Sequence, residues 1–257
     1  MKNIAVLLPG IIRNYSHLEF ISKMREFGIA NNFNFYFFGY CYNFLGNGRH
    51  HWHFQREYNA RKDLDINLIK SYSLSKLKIT DQIIEKDKDG YDGRIISQWE
   101  GVKQSYLLYE EFVSETSTDF DLILRMRWDI SVDCNKLKIV LNDCINDNKI
   151  RVVKYKTITD QGFVGSPNRV KDLCLFSEKY YDLLSLNHFV NLQIQHRQFV
   201  DNIYKSNPRP RDHRNAHNLR FEPQSEIMLT YYIDKNYKDV EKVILRHRHK
   251  WWELRRD

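Results

Sequence analysis

Leu122, Ile123 and Leu124 form a short unbroken apolar run inside Asp119–Asp133 (DFDLILRMRWDISVD). A run of that kind fits a strand covered on both faces, which requires a sheet with helices above and below it. Past Leu124 the apolar character stops. Arg125, Arg127 and Asp129 alternate there, so at strand spacing they are expected to share one face. Ligands of open α/β sheets bind outside the carboxyl ends of the strands. Arginine forks suit phosphate oxygens, and a carboxylate beside them suits a divalent cation that also touches phosphate. The plain alternative is a structural ion-pair cluster closing a strand end. As an exposed strand-end carboxylate, Asp129 is expected to contribute little to the core.

The rest of the chain supplies the partners of that strand. Asn3–Leu8 reads as a buried first strand ending at Pro9-Gly10, followed by a helical pattern over Ser16–Phe27. Gly10 allows close backbone approach to a ligand, and Arg13 follows at the mouth of the turn. Phe33–Tyr40 is a second strand, parallel to the first; Tyr40 and Tyr42 at its end are placed to stack on a base or simply to pack. Ile95–Thr116 carries Trp99, Val102, Tyr106, Tyr109 and Val113 at three- and four-residue steps, an amphipathic helix with Gln98 and Gln104 off the apolar stripe. Lys149–Tyr155 is a further strand. Gly165-Ser166-Pro167 starts a helix expected to reach Tyr180, with Ser166 as N-cap and Pro167 at the first helical position. Helices are also expected over Leu186–Tyr204 and Pro223–Tyr232, and a late strand over Val240–Leu245.

At 257 residues the chain can bury one sizeable core, and a single domain spanning 1–257 is expected. A net charge of +7 fits a polyanionic ligand: a nucleotide diphosphate, nucleic acid or, peripherally, an anionic membrane surface. The four cysteines show no C-x-x-C spacing, which argues for reduced thiols and a cytoplasmic location. Met1–Leu8 is too short an apolar run for a signal peptide, and no stretch is long enough to span a membrane. His50, His51 and His53 have spacing unsuited to a metal, so that loop is expected to touch substrate. Ser206–Arg220 is a basic, Pro-punctuated loop fit to lie near an anion.

DLILRMRWDI resembles a strand of bacterial and viral glycosyltransferases of the nucleotide-sugar (GT-A) type, which build capsular and surface polysaccharides. In that group an R-x-R-x-D segment stands where other GT-A enzymes carry a D-x-D metal motif. LLPGIIRNY is similar to their G-x-x-R loop, and the Gln/Trp-containing helix Ile95–Thr116 to the helix leading into the motif strand. Thr159–Pro167 resembles their D-Q-F-x-x-G-S segment, which lines the acceptor pocket, and Pro223–Tyr232 their P-E/Q-x-x-L-x-x-Y helix. The resemblance implies an α/β, GT-A-like (Rossmann-like) fold with a mixed, mainly parallel central sheet flanked by helices, 1–130 forming the nucleotide-sugar-binding half and 131–257 the acceptor-binding half. It places Gly10, Arg13, Gln98, Arg125, Arg127 and Asp129 on the nucleotide-sugar donor. Arg127 occupies the place of the first Asp of D-x-D, so a divalent cation (Mn2+ or Mg2+) on Asp129 would need a further ligand. His247 or His249, near the C-terminus, is expected to supply it. Transfer to a glycan hydroxyl also needs a base if the reaction inverts; Asp160 is the expected one and Glu226 its substitute.

The competing class is a basic nucleic-acid or anionic-polymer binding protein without catalysis. No helix-turn-helix, zinc-finger or aromatic-sheet signature supports it, and nucleic acid is not among the expected partners. A phosphotransferase is disfavoured because no G-x-x-x-x-G-K-[ST] loop occurs.

Overall fold

A computed structural model describes residues 1–46, 62–81, 93–154, 158–179, 225–238, 241–246 and 251–254. The expected helix over 186–204 and the loops at 47–61 and 206–220 lie outside these residues.

Its frame is a seven-stranded sheet. The strands are β1 (Lys2–Gly10), β2 (Phe33–Tyr42), β5 (Lys76–Thr80), β6 (Leu122–Arg125), β8 (Ile150–Lys154), β9 (Ile158–Gly165) and β10 (Lys242–Arg246), in the order β10-β8-β9-β6-β1-β2-β5. Strand β9 runs antiparallel to both neighbours and every other pairing is parallel. Two short antiparallel pairs lie outside the main sheet: β3 (Phe44–Leu45) with β4 (Lys62–Asp63), and β7 (Ile130–Val132) with β11 (Trp252–Leu254). Strands from both halves of the sequence thus share one sheet.

Alternation along the strands splits the core in two. Ile4, Val6 and Leu8 of β1 with Leu122 and Leu124 of β6 face α1 (Glu19–Asn31) and α4 (Cys134–Asp147). Ala5, Leu7 and Ile123 face α3 (Gly93–Thr116), α5 (Pro167–Cys174) and α6 (Ser225–Asn236). Between β4 and β5 lies the short α2 (Ile66–Ser71). Buried on both sides, β1 and β6 have no polar alternation to show, as the apolar runs require.

Local signals set the element ends. Asn32 and Asn148 stop α1 and α4 in the left-handed region, at φ 61° and 52°. Asp133 caps α4 by accepting from the Lys136 N–H. The first helical pattern splits into a 3-10 turn (Tyr15–Leu18) before α1, and α5 ends at Cys174, short of Tyr180. Ser166 holds the N-cap position of α5 without a side-chain cap bond; its hydroxyl pairs with Asn148 instead. Among the described residues no helix is long and apolar enough to cross a membrane.

Candidate functional site

From β1 the chain winds outward through β2 to β5, then returns through α3 to β6 on the other side of β1. That reversal opens a crevice at the carboxyl ends of β1 and β6, the place where open α/β sheets take ligands. Two loops meet there. After β1, Gly10 adopts φ +107°, a conformation costly for any other residue, and the space a Cβ would enter is open. Arg13 follows three residues later. After β6, the chain turns through Met126–Asp129, still tied to β1 by the Met126 N–H donating to the Leu7 carbonyl at 3.0 Å.

Asp129 joins the loops. Arg127 Nε and Nη2 donate to its two carboxylate oxygens, both at 2.7 Å, and Arg13 Nε lies 3.2 Å from Oδ2. Asp129 is 3% exposed. Burial raises its pKa, but the guanidiniums of Arg127 and Arg13 outweigh that and hold the carboxyl below its ordinary value. Two guanidiniums around one carboxylate leave a net positive charge, with the forks held in place: a ready anion site.

Arg125 does not share this face. Strand β6 continues through Arg125, so its side chain points with Ile123 toward α3 and α5, where it is 1% exposed and its charge acts on the buried Cys174. Arg127 and Asp129 lie past the end of the strand, in a turn, where strand alternation no longer applies. The burial of Asp129 likewise corrects its expected exposed position.

Trp128, between the two, is what sequence patterning missed. It is 1% exposed and donates from Nε1 to the Tyr40 carbonyl at 3.4 Å. Its ring lies where a Cβ on Gly39 would fall, 2.9 Å from Cη2 and 3.0 Å from Cζ2. The loop carrying Arg127 and Asp129 is therefore clamped against β2. Gly39→Ala is expected to destabilise the fold by about 1–3 kcal/mol, because a fully buried indole cannot yield to the added methyl. Thermal unfolding and near-ultraviolet dichroism check this; an unchanged melting temperature and tryptophan signal would show the ring is not confined.

Other glycines mark close approaches at the same edge. A Cβ on Gly46 would lie 2.5 Å from Ile11 Cγ2 and 3.4 Å from Arg13 Cγ, and the Gly46 N–H donates to the Ile12 carbonyl. A Cβ on Gly101 of α3 would lie 3.3 Å from Pro9 Cβ and 3.7 Å from the Gly10 nitrogen. Helix α3 thus enters beside Gly10, and Gln98, partly buried, is in its adjoining turn. Beyond it, Tyr40, Tyr42, Lys78, Thr80, Ser97, Glu100 and Gln104 line an open cleft of about 140 Å³.

The backbone of Asp160 lies in β9. Because β9 is antiparallel and its Phe163 pairs with Arg125, the residues before Phe163 project past the carboxyl end of β6. Glu226 is in the first turn of α6, a helix that packs on β9 and leads into β10. Running opposite to the parallel strands, α6 presents that turn at the same edge. His247 and His249 lie outside the described residues. They fall between Arg246, at the carboxyl end of β10, and Trp251, which is buried and accepts from the Asp133 N–H just beyond β7.

Among the described residues no group of three His, Cys, Asp or Glu side chains converges. Both Asp129 oxygens accept from Arg127 and Oδ2 also faces Arg13, so a cation on the remaining lone pair would sit against two guanidiniums that repel it. The described residues alone do not make a divalent-cation site. The fold and the crevice define an α/β protein whose mostly parallel sheet is compatible with a Rossmann-like arrangement. No family model matches the chain, and no curated protein matches it.

Proposed function

We propose that this chain transfers a sugar from a nucleotide diphosphate donor to a glycan hydroxyl, as a GT-A-like glycosyltransferase of surface polysaccharide or glycan synthesis. The observation that carries this reading is the Arg13–Asp129–Arg127 constellation at the strand crevice. Breaking the bond between the anomeric carbon and the diphosphate oxygen leaves charge on the leaving group, and fixed guanidiniums stabilise it without reorganising. Asp129 is the group that fixes them. Asp160, with Glu226 as substitute, takes the acceptor hydroxyl proton as the new glycosidic bond forms. In a retaining reaction Asp160 would instead position the acceptor. A divalent cation would add Lewis-acid charge at the diphosphate; Asp129 with His247 or His249 would hold it against the repulsion of Arg13 and Arg127.

The test is a thermal-unfolding screen of the full chain against nucleotide sugars, with manganese and with a chelator, followed by assay of nucleoside diphosphate release. A cognate donor at a hundred times its dissociation constant should raise stability by about 2.7 kcal/mol, a shift of roughly 5–10 °C. His247→Ala or His249→Ala should move the manganese requirement upward. Parent activity that a chelator leaves unchanged removes the cation; stabilisation by polyanions alone, with no donor and no release, favours the binding protein.

A further inference from the structure

We propose that the far end of the chain is a positioning element of the anion site. Trp251 and strand β11 fix the register of β7, and through it the place of Asp129 opposite Arg13. The proposal rests on the transferase reading and deepens it, by naming what keeps the diphosphate site in shape.

The loop that carries Arg127 and Asp129 is anchored differently at its two ends. Upstream, Met126 is tied to β1 and Trp128 to β2. Downstream, Asp129 runs straight into β7, and among the described residues β7 pairs with no strand of the main sheet. Its ladder is with β11: Ile130 stands opposite Leu254, Ser131 opposite Glu253 and Val132 opposite Trp252. The Asp133 N–H donates to the Trp251 carbonyl at 2.9 Å, so those two residues form a hydrogen-bonded pair. Antiparallel pairs alternate, which makes Ser131 with Glu253 the next pair to exchange backbone hydrogen bonds. Asp133 also caps α4, but that cap fixes only the far end of the short strand between it and Asp129.

Register decides whether the site forms. One residue along a strand is about 3.4 Å. Arg13 Nε lies 3.2 Å from Asp129 Oδ2, so a one-residue slip of β7 is as long as the contact itself. The same slip would turn the fully buried Ile130 away from the core. Trp251 resists it from the partner strand. Its ring is fully buried, in the same apolar cluster as Trp128 and Ile130. Among the described residues its Nε1 meets no acceptor, so packing rather than a hydrogen bond holds the indole. Phenylalanine can fill most of that space, whereas alanine would leave a cavity.

The experiment is a double-mutant cycle on the full chain, read by melting temperature, with calorimetric titration of inorganic pyrophosphate as the second readout. Glu253→Pro removes a ladder N–H from a strand outside the main sheet. Trp251→Ala removes the ring, and Trp251→Phe keeps an aromatic in its place. Asp129→Ala should lower the melting temperature of the parent by about 5–10 °C, and that of Glu253→Pro by less than half as much. Glu253→Pro and Trp251→Ala should each weaken pyrophosphate binding at least about tenfold with far-ultraviolet dichroism unchanged, while Trp251→Phe stays within about twofold of the parent. Additive losses in the cycle, or parental pyrophosphate affinity in both disruptive variants, would overturn the proposal. Trp251→Phe as weak as Trp251→Ala would overturn it too, since the argument rests on ring packing. If Trp251→Ala does not fold, Glu253→Pro decides alone. If the parent binds no pyrophosphate, the transferase reading falls, and the melting cycle still decides whether β11 places Asp129.

Discussion

Asp129→Ala is expected to lose detectable sugar transfer and to melt about 5–10 °C below the parent. Removing the carboxylate takes its negative charge from between Arg127 and Arg13, whose side chains are 22% and 14% exposed, and leaves their like charges facing one another. Breaking a fully buried pair costs about 3–5 kcal/mol, and the partial exposure of the arginines brings the figure here to roughly 2–3 kcal/mol. Asp129→Asn keeps the shape and separates the two effects. Because the folded-state pKa of Asp129 lies below its ordinary value, its ionised form contributes stability above about pH 4, and that contribution is lost as pH falls through the folded value. The melting-temperature gap between parent and Asp129→Asn should therefore narrow on acidification below pH ~4. Normal turnover in either variant would remove Asp129 from the site; a gap that widens in acid would show that the guanidiniums do not depress its pKa.

Asp160→Asn should lower the catalytic constant by about 10²–10⁴ while leaving the donor Michaelis constant within a few fold. A base acts on the proton in flight and does little for donor binding, so its loss separates the two constants. Strand β9 brings the Asp160 backbone to the carboxyl edge of the sheet, and α6 brings Glu226 to the same edge. Glu226→Gln measured in parallel decides between them. An Asp160→Asn variant with an intact catalytic constant and a raised donor Michaelis constant would make Asp160 a donor-binding residue.

Much of the framework was legible in the chain. The apolar runs at Asn3–Leu8 and Leu122–Leu124, the aromatic run from Phe33 and the three- and four-residue spacing from Trp99 to Tyr109 each fall in the strand or helix they predict. Those patterns are local, because the period of a buried face is written in consecutive residues. Gly10 and Arg13 were readable for the same reason: a strand, a glycine turn and an arginine occur in sequence.

The candidate site is different, since its partners are far apart in the chain. Arg13 and Asp129 meet only because β6 pairs with β1, and the cleft exists only because α3 crosses the ends of β2 and β5. Alternation put Arg125 with Arg127 and Asp129, but where β6 stops was decided by its pairing partners, and that left Arg125 in the core. Trp128 carries no signal in its own stretch of sequence, because the residue its ring packs against, Gly39, lies 89 positions earlier. The sequence by itself determined which residues form strands and helices and which faces they bury, because those follow from spacing along the chain. Which charged groups meet at the crevice, and which are sealed beneath it, only the strand order and the tertiary packing decided, because contacts between distant segments leave no periodic trace in the sequence.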